Sequence, residues 1–171
     1  MTPTNPQHLR RLRFVTRWGV VPVIKPQTVA EHSFHVAWIY LNLCEFLHYA
    51  PSVSEITGVL VHDSLEAVTG DIPSPNKPEE ALENMSVHAR LLKLSDLLEA
   101  LMYINEEQGF GAQHLDEISA WLGARVFRFI EDLAAGFNIN KTSLLTHIDA
   151  LLYDVNMKKH PCLEQFKKNA T

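Results

Sequence analysis

The sequence predicts an all-α fold of about six helices in one domain, a helical bundle around a single core. Three observations carry this. Apolar residues recur at helical spacing in every long segment. Glycines are few (seven), and the nine prolines gather outside the periodic segments. No run of residues alternates apolar and polar as a half-buried strand would.

The elements follow in order. Asn5-Pro6 opens a helix to about Val15, and a loop from Gly19 to Gln27 holds Pro22 and Pro26. Thr28-Val-Ala-Glu31 is a capping box, in which the Glu31 side chain reaches back to Thr28. It starts a helix to about His48, with Val29, Val36, Ile39, Leu43 and Leu47 on the buried side. Ser52-Val-Ser-Glu55 is a second box, opening a helix through about Thr69. A proline-rich loop covers Asp71 to Pro78, and Glu79 to about Glu107 is again helical, with Leu91, Leu92, Leu94, Leu97, Leu98 and Leu101 as its apolar face. Gly109 to Gly111 break it. Ala112 to Ala135 is one helix, bent near Gly123 and ended by Gly136. Asn140 or Thr142 starts the last helix, and His160-Pro161 stops it. The aromatic and leucine-rich stretch from Trp121 to Leu133 reads as core or subunit interface, and the expected assembly is a homo-oligomer.

Composition narrows the function. The chain has 171 residues, 46% hydrophobic and 20% charged, which excludes a disordered protein. A net charge of −5 argues against a nucleic-acid binder with a basic surface. An anionic substrate then needs local cations or a metal. Cys44 and Cys162 form neither a disulfide framework nor a CxxC knuckle, so a reducing compartment is expected. No apolar run reaches membrane-span length, and the arginines from Arg10 to Arg17 leave no signal-peptide core. The expected setting is the cytoplasm, that of a host cell if the protein is viral, with no membrane partner.

The chemistry concentrates in His32, the doublet His62-Asp63, and Asp96, each on a different predicted helix. A mixed histidine and aspartate set suits a divalent transition ion better than calcium or a thiolate-bound zinc. Neighbouring helical residues point about 100° apart, so a His-Asp doublet can reach one ion from the helix edge. Four protein ligands leave open positions for water and substrate, the mark of a catalytic site. Glu66 follows His62 by one turn and shares its face. There a carboxylate can take a proton from water and return it to a leaving oxygen. Asp71, in Thr-Gly-Asp-Ile-Pro-Ser-Pro, is a further catalytic candidate that could hold a substrate hydroxyl or the attacking water, or simply cap its turn. Arg10 and Arg13 read as a solvated stripe. His8, His48, His88, His114, His147 and His160 share no register with the ligand candidates.

These residues resemble the H…HD…D signature of the HD-domain superfamily of metal-dependent phosphohydrolases. Arg17-Trp18-Gly19, Glu31-His32-Ser33, the run from His62 to Pro75 with Lys77, and Lys93 to Asp96 are similar to its 5'-deoxynucleotidase-like branch, which includes phage dATP triphosphohydrolases. The resemblance covers roughly residues 10 to 105, and the run from 62 to 75 is its most specific part. It implies a metal (Zn, Co or Mn) on His32, His62, Asp63 and Asp96. It implies phosphate orientation by Arg17, with Lys77 and Lys93 as further phosphate contacts, and Trp18 at the sugar where a ribose 2'-hydroxyl would go. Glu66 is implied as the acid/base, and Asp71, Ile72, Pro73, Ser74 and Pro75 as the substrate loop. With Trp18 and Val20, that loop supplies apolar walls for a purine, adenine by preference. One departure is length: 25 positions separate Asp71 from Asp96, fewer than in the bacterial mononucleotidases. A shorter cap favours release of triphosphate from a dNTP, with dADP and dAMP also accepted, over restriction to monophosphates. Three rivals remain. A guanosine-tetraphosphate hydrolase usually carries Asp where Ala67 stands. A non-catalytic nucleotide sensor would not need Glu66 beside a full ligand set. A helical interaction module with a structural metal would not need open coordination positions.

Overall fold

The computed structural model describes residues 6–71 and 81–152. Seven α-helices carry them: α1 Pro6–Arg11, α2 Val29–Phe46, α3 Val53–Leu60, α4 Glu66–Thr69, α5 Val87–Gly109, α6 Asp116–Gly136 and α7 Lys141–Leu152. No strand occurs among the described residues; one isolated antiparallel bridge joins Thr16 and Thr28. No described helix is long and apolar enough to cross a membrane.

Both capping boxes form. Thr28 Oγ1 accepts the Glu31 N–H while the Glu31 carboxylate accepts the Thr28 N–H, and Ser52 and Glu55 do the same. Each box satisfies donors that a helix start leaves orphaned. The core runs along α2, α5, α6 and α7, with Ile39, Tyr40, Leu43, Leu91, Leu94, Leu98, Ile104, Ile130 and Leu144 fully buried. Leu122, Val126, Phe127, Phe129, Ile130 and Leu133 are buried within the chain, so these residues of the α6 stretch are core, while Trp121 at its start is exposed. His32 meets Asp96 and Glu99, whereas Tyr40, two turns later, meets His88. Helices α2 and α5 are therefore antiparallel.

Four expected boundaries move. The first helix, expected to about Val15, ends at Arg11 and passes into a 3-10 turn at Leu12–Phe14. The helix predicted from Ser52 through Thr69 is broken at Val61–Leu65 into α3 and α4. In a continuous helix the Val59 carbonyl would accept the Asp63 N–H. Here it accepts the His62 Nδ1–H at 2.8 Å, with the His62 N–H at 3.5 Å, and turns spaced by three residues follow. A side-chain donor has displaced the helical bond. The helix expected from Glu79 starts at Val87. Ser86 caps it by accepting the Ala89 N–H, behind a 3-10 turn at Leu82–Asn84. Similarly, Gln113–Leu115 is a 3-10 turn ahead of α6, which then passes through Gly123 unbroken. The predicted stop at His160-Pro161 and Cys162 lie outside the described residues.

The loop from Arg17 to Gln27 is held at many points. Arg17 N–H donates to the Gln27 carbonyl at 2.8 Å, and Val29 N–H to the Val15 carbonyl at 2.9 Å. The buried Glu107 carboxylate accepts both the Ile24 and Lys25 N–H groups, the latter at 2.8 Å. Tyr103 Oη donates to the Lys25 carbonyl at 3.0 Å, and His114 Nε2 lies 2.9 Å from the Pro22 carbonyl. Anchored so firmly to α5, the loop delivers Arg17 and Trp18 to the start of α2.

Candidate metal centre

His32 projects from the second turn of α2, His62 and Asp63 from the break between α3 and α4, and Asp96 from α5. One ligand atom each from His32, His62 and Asp96 falls within 4.8 Å of the others. Asp63 Oδ2 closes the group, 3.3 Å from His62 Nε2 and 3.7 Å from His32 Nε2, and Asp96 Oδ1 lies 3.3 Å from His32 Nε2. The four residues singled out by spacing thus meet at one place.

The donor chemistry fits a divalent ion. Each histidine uses Nδ1 on a protein acceptor, His62 on the Val59 carbonyl and His32 on the Glu99 carboxylate. Both Nε2 atoms are buried and take no hydrogen bond. A neutral imidazole with Nδ1 occupied by a hydrogen bond presents its Nε2 lone pair as a ligand. Burial, offset in part by Asp63 and Asp96, lowers the pKa of His62 and keeps it neutral. For His32, burial and Arg17 push the pKa down, but Glu99 and Asp96 outweigh them and raise it. This corner of the protein thus favours a positive charge, which a cation supplies in place of the proton. Burial pushes the Asp96 carboxyl up, yet the nearby His32 and the charges of Lys93 and Arg17 hold it well below the usual range.

Of the remaining candidates, some lie near this centre and others do not. Glu66 is buried at the start of α4, and its N–H bonds to the Asp63 carbonyl at 3.0 Å, so the residue follows the doublet by one turn, though not on a continuous helix. Arg17 Nη1 reaches Glu99 Oε2 at 3.2 Å and packs against His32 Nδ1, while its Nε is buried without a partner. Trp18 is half-buried and stacks on Tyr103 with ring centroids 5.7 Å apart. Its φ of 63° is left-handed, an uncommon state for a non-glycine residue. Asp71 Oδ2 steadies it by accepting the Trp18 N–H at 2.9 Å. Gly70, with φ of 75°, makes the reversal that aims Asp71 back at Trp18. Asp71 is therefore engaged in joining the two loops. Lys93 Nζ donates to Asp96 Oδ2 at 2.6 Å, so it already has a carboxylate partner. Val20 is exposed. Ile72, Pro73, Ser74, Pro75 and Lys77 lie outside the described residues. Of the other histidines, His88 bonds Tyr40 and His147 stacks on Phe46.

Two residues escaped the sequence reading, Glu99 and Gln27. Both are buried, and Gln27 Nε2 donates to Glu99 Oε1 at 2.5 Å. Burial pushes the Glu99 carboxyl up, but His32, His35 and Arg17 outweigh it and hold the pKa at about 2. A charged residue among leucines, one turn beyond Asp96, was the available signal. His35 is mostly exposed, with Nδ1 3.6 Å from Glu99 Oε1.

A helical bundle that gathers a histidine, a His-Asp doublet and a distant aspartate is the arrangement of the HD-domain phosphohydrolases. The family model described as 5'-deoxynucleotidase YfbR-like matches residues 6–85. The dATP triphosphohydrolase of Salmonella phage PMBT28 is 32% identical over 133 residues, 62% of this chain and 69% of that one. The 5'-deoxynucleotidase VP0926 of Vibrio parahaemolyticus is 30% identical over 149 residues, 75% of this chain and 74% of that one. The chain belongs to the YfbR-like family of HD-domain phosphohydrolases. Its fold matches that of the cyanophage S-2L HD phosphohydrolase (DatZ), solved with dA and one catalytic Zn2+ ion, with a TM-score of 0.67 and 21% identity over 89% of this chain and 98% of that one.

Removing one donor undoes a site of this kind. His62→Ala or Asp63→Ala should lose both bound metal and turnover. Metal content by elemental analysis, taken alongside activity, checks this; full activity in metal-stripped His62→Ala protein contradicts it.

Proposed function

We propose that the enzyme hydrolyses deoxynucleoside phosphates, with dATP the leading substrate and dADP and dAMP also accepted, and so depletes a deoxynucleotide pool. The observation that carries the reading is the meeting of His32, His62, Asp63 and Asp96 beside a buried Glu66 and the Arg17 side chain. The phage relatives named dATP triphosphohydrolase support the choice of substrate. A second reading, restriction to deoxynucleoside monophosphates, is favoured by the relatives named 5'-deoxynucleotidase.

A divalent ion (Zn, Co or Mn) held by His32, His62, Asp63 and Asp96 would lower the pKa of a water and neutralise charge on the phosphate. The other roles belong to the chain. Water's oxygen bonds to the α-phosphorus as the bond from phosphorus to the 5'-oxygen breaks. Glu66 accepts the water proton and returns it to the departing 5'-oxygen. Arg17 directs its guanidinium at the phosphate, a planar fork that lysine cannot supply. Lys77 and Lys93 extend the positive charge toward the β- and γ-phosphates. For Lys93 this means sharing its ammonium with Asp96. Trp18, placed by its bond to Asp71, fills the volume of a 2'-hydroxyl. Val20 and the Ile72 to Pro75 loop border the base. Products are deoxyadenosine and triphosphate, or phosphate from dAMP. Self-association belongs to the same proposal. Phe34, Trp38 and Leu41, about one turn apart on α2 and each exposed, are the surface a second copy would cover. A reducing cytoplasm suits the free, buried Cys44.

Glu66→Ala should keep metal and substrate affinity while turnover falls about 10²–10⁴-fold. Steady-state kinetics separate the two; collapsed affinity with surviving turnover makes Glu66 a binding residue. Trp18→Ala should raise the rate on ATP relative to dATP by up to about 10²-fold, the scale of steric discrimination. The ratio is the readout, because loss of the Tyr103 stack lowers both rates together. The function itself is tested by comparing dATP, dGTP and dAMP under one metal. Triphosphate release from dATP, with dGTP slower, is expected. Cleavage of dAMP with dATP inert installs the mononucleotidase reading, and equal rates on dGTP and dATP remove the adenine preference.

A further inference from the structure

The Glu99 carboxylate stands outside the predicted ligand set, yet it touches both a ligand candidate, His32, and the Arg17 side chain. Glu99 follows Asp96 by three residues on α5, so the two carboxylates share a helix face. Its side chain is 2% exposed. Oε2 meets His32 Nδ1, which donates to it because the Glu99 carboxyl is ionised, and accepts an Arg17 Nη1–H at 3.2 Å; Arg17 Nη1 also contacts His32 Nδ1. Oε1 accepts the Gln27 Nε2–H at 2.5 Å. A buried carboxylate is a poor choice for stability alone, because a packed apolar side chain of similar volume avoids the desolvation cost. What it holds explains its presence.

Each contact has a consequence at a different part of the site. With the proton of His32 committed to Glu99 at Nδ1, the Nε2 lone pair is left facing Asp96, 3.3 Å away. With Arg17 Nη1 committed to Glu99, the guanidinium is oriented, and its buried Nε has no protein partner. Gln27 in turn keeps the carboxylate from rotating. Its own position is set by the Gln27 carbonyl, which accepts the Arg17 N–H at 2.8 Å. One carboxylate therefore sets the tautomer of a metal ligand and the direction of the anion clamp.

We infer that Glu99 is a positioning residue shared by both arms of the site, so that affinity for the metal and affinity for the phosphate both depend on its charge. The inference rests on the reading of His32, His62 and Asp96 as metal ligands.

The test titrates the metal-free full-length protein with Co2+, followed by visible absorption, and then titrates the Co2+-loaded protein with inorganic phosphate. Three proteins are compared: the parent, Glu99→Gln and Arg17→Ala. Glu99→Gln preserves shape and one acceptor but removes the charge. It should bind Co2+ about 10–100-fold more weakly, with a changed spectrum, as expected when the partner of a ligating histidine is lost. It should also bind phosphate more weakly. Arg17→Ala should weaken phosphate only. Unchanged Co2+ affinity and spectrum in Glu99→Gln overturn the inference, as does weakened Co2+ binding with parental phosphate binding. A parent that binds no Co2+ overturns the ligand assignment itself, a different outcome from either of these. If Glu99→Gln fails to fold, as judged by circular dichroism, nitrogen-15 NMR of the Zn2+-loaded parent decides. A His32 ring protonated at Nδ1 supports the inference, and an unprotonated Nδ1 overturns it.

Discussion

A polar seam buried between two antiparallel helices organises this molecule. Helix α2 contributes His32, α5 contributes Asp96 and Glu99, and these groups face one another where a bundle ordinarily places leucine. Carboxylates out of water are tolerable only when every one is paired. The seam meets that demand by drawing in Arg17, Gln27 and Lys93 from its surroundings. The apolar contacts of Tyr40, Leu43, Leu91, Leu94 and Leu98 further along the same helices keep α2 and α5 in register. Packing sets where the charges lie, and the charges then dictate what must pack beside them.

The two segments flanking the seam are shaped by the same demand. The chain between α3 and α4 leaves the helical path because the His62 ring takes the Val59 carbonyl, and the doublet is presented from a tight series of turns. The loop before α2 is fixed from the other side by Glu107, Tyr103 and His114. Trp18 and Asp71 join the two segments across the mouth of the site. A left-handed tryptophan persists there because its N–H and carbonyl are both bonded, to Asp71 and to the Val21 N–H. The rigidity matters to chemistry: Arg17 and Trp18 are adjacent, so whatever orients one orients the other.

A cation fits the centre for electrostatic reasons as much as for its donor atoms. Asp63, Asp96 and Glu99 bring three carboxylates close to two histidines, and the net field raises the pKa of His32 despite its complete burial. An ion with at least two positive charges balances the carboxylates and leaves both imidazoles neutral. It also supplies the positive charge that an enzyme of net charge −5 needs to receive a polyphosphate.

Much of this was legible in one dimension. Helical periodicity and two capping boxes determined the fold class and the starts of α2 and α3, because capping and amphipathicity are local and depend on residues three or four apart. Spacing with residue chemistry picked out His32, His62, Asp63 and Asp96, since few side chains bind such an ion and these occur in a recognisable order. Tertiary structure alone decided the rest. The break at Val61–Leu65 depends on a side chain competing with a backbone donor, a choice that periodicity does not register. The late start of α5 turned on a serine cap rather than on the apolar pattern. Gln27 carries no signature of its own and Glu99 only a charge among leucines, because their importance lies in partners 67 to 82 residues away in sequence. The sequence by itself determined which residues have the chemistry to bind a cation and placed His32 and Asp96 on their helices. Only the folded chain decided which nitrogen of each histidine is free, because that depends on the acceptor that packing places at the other nitrogen.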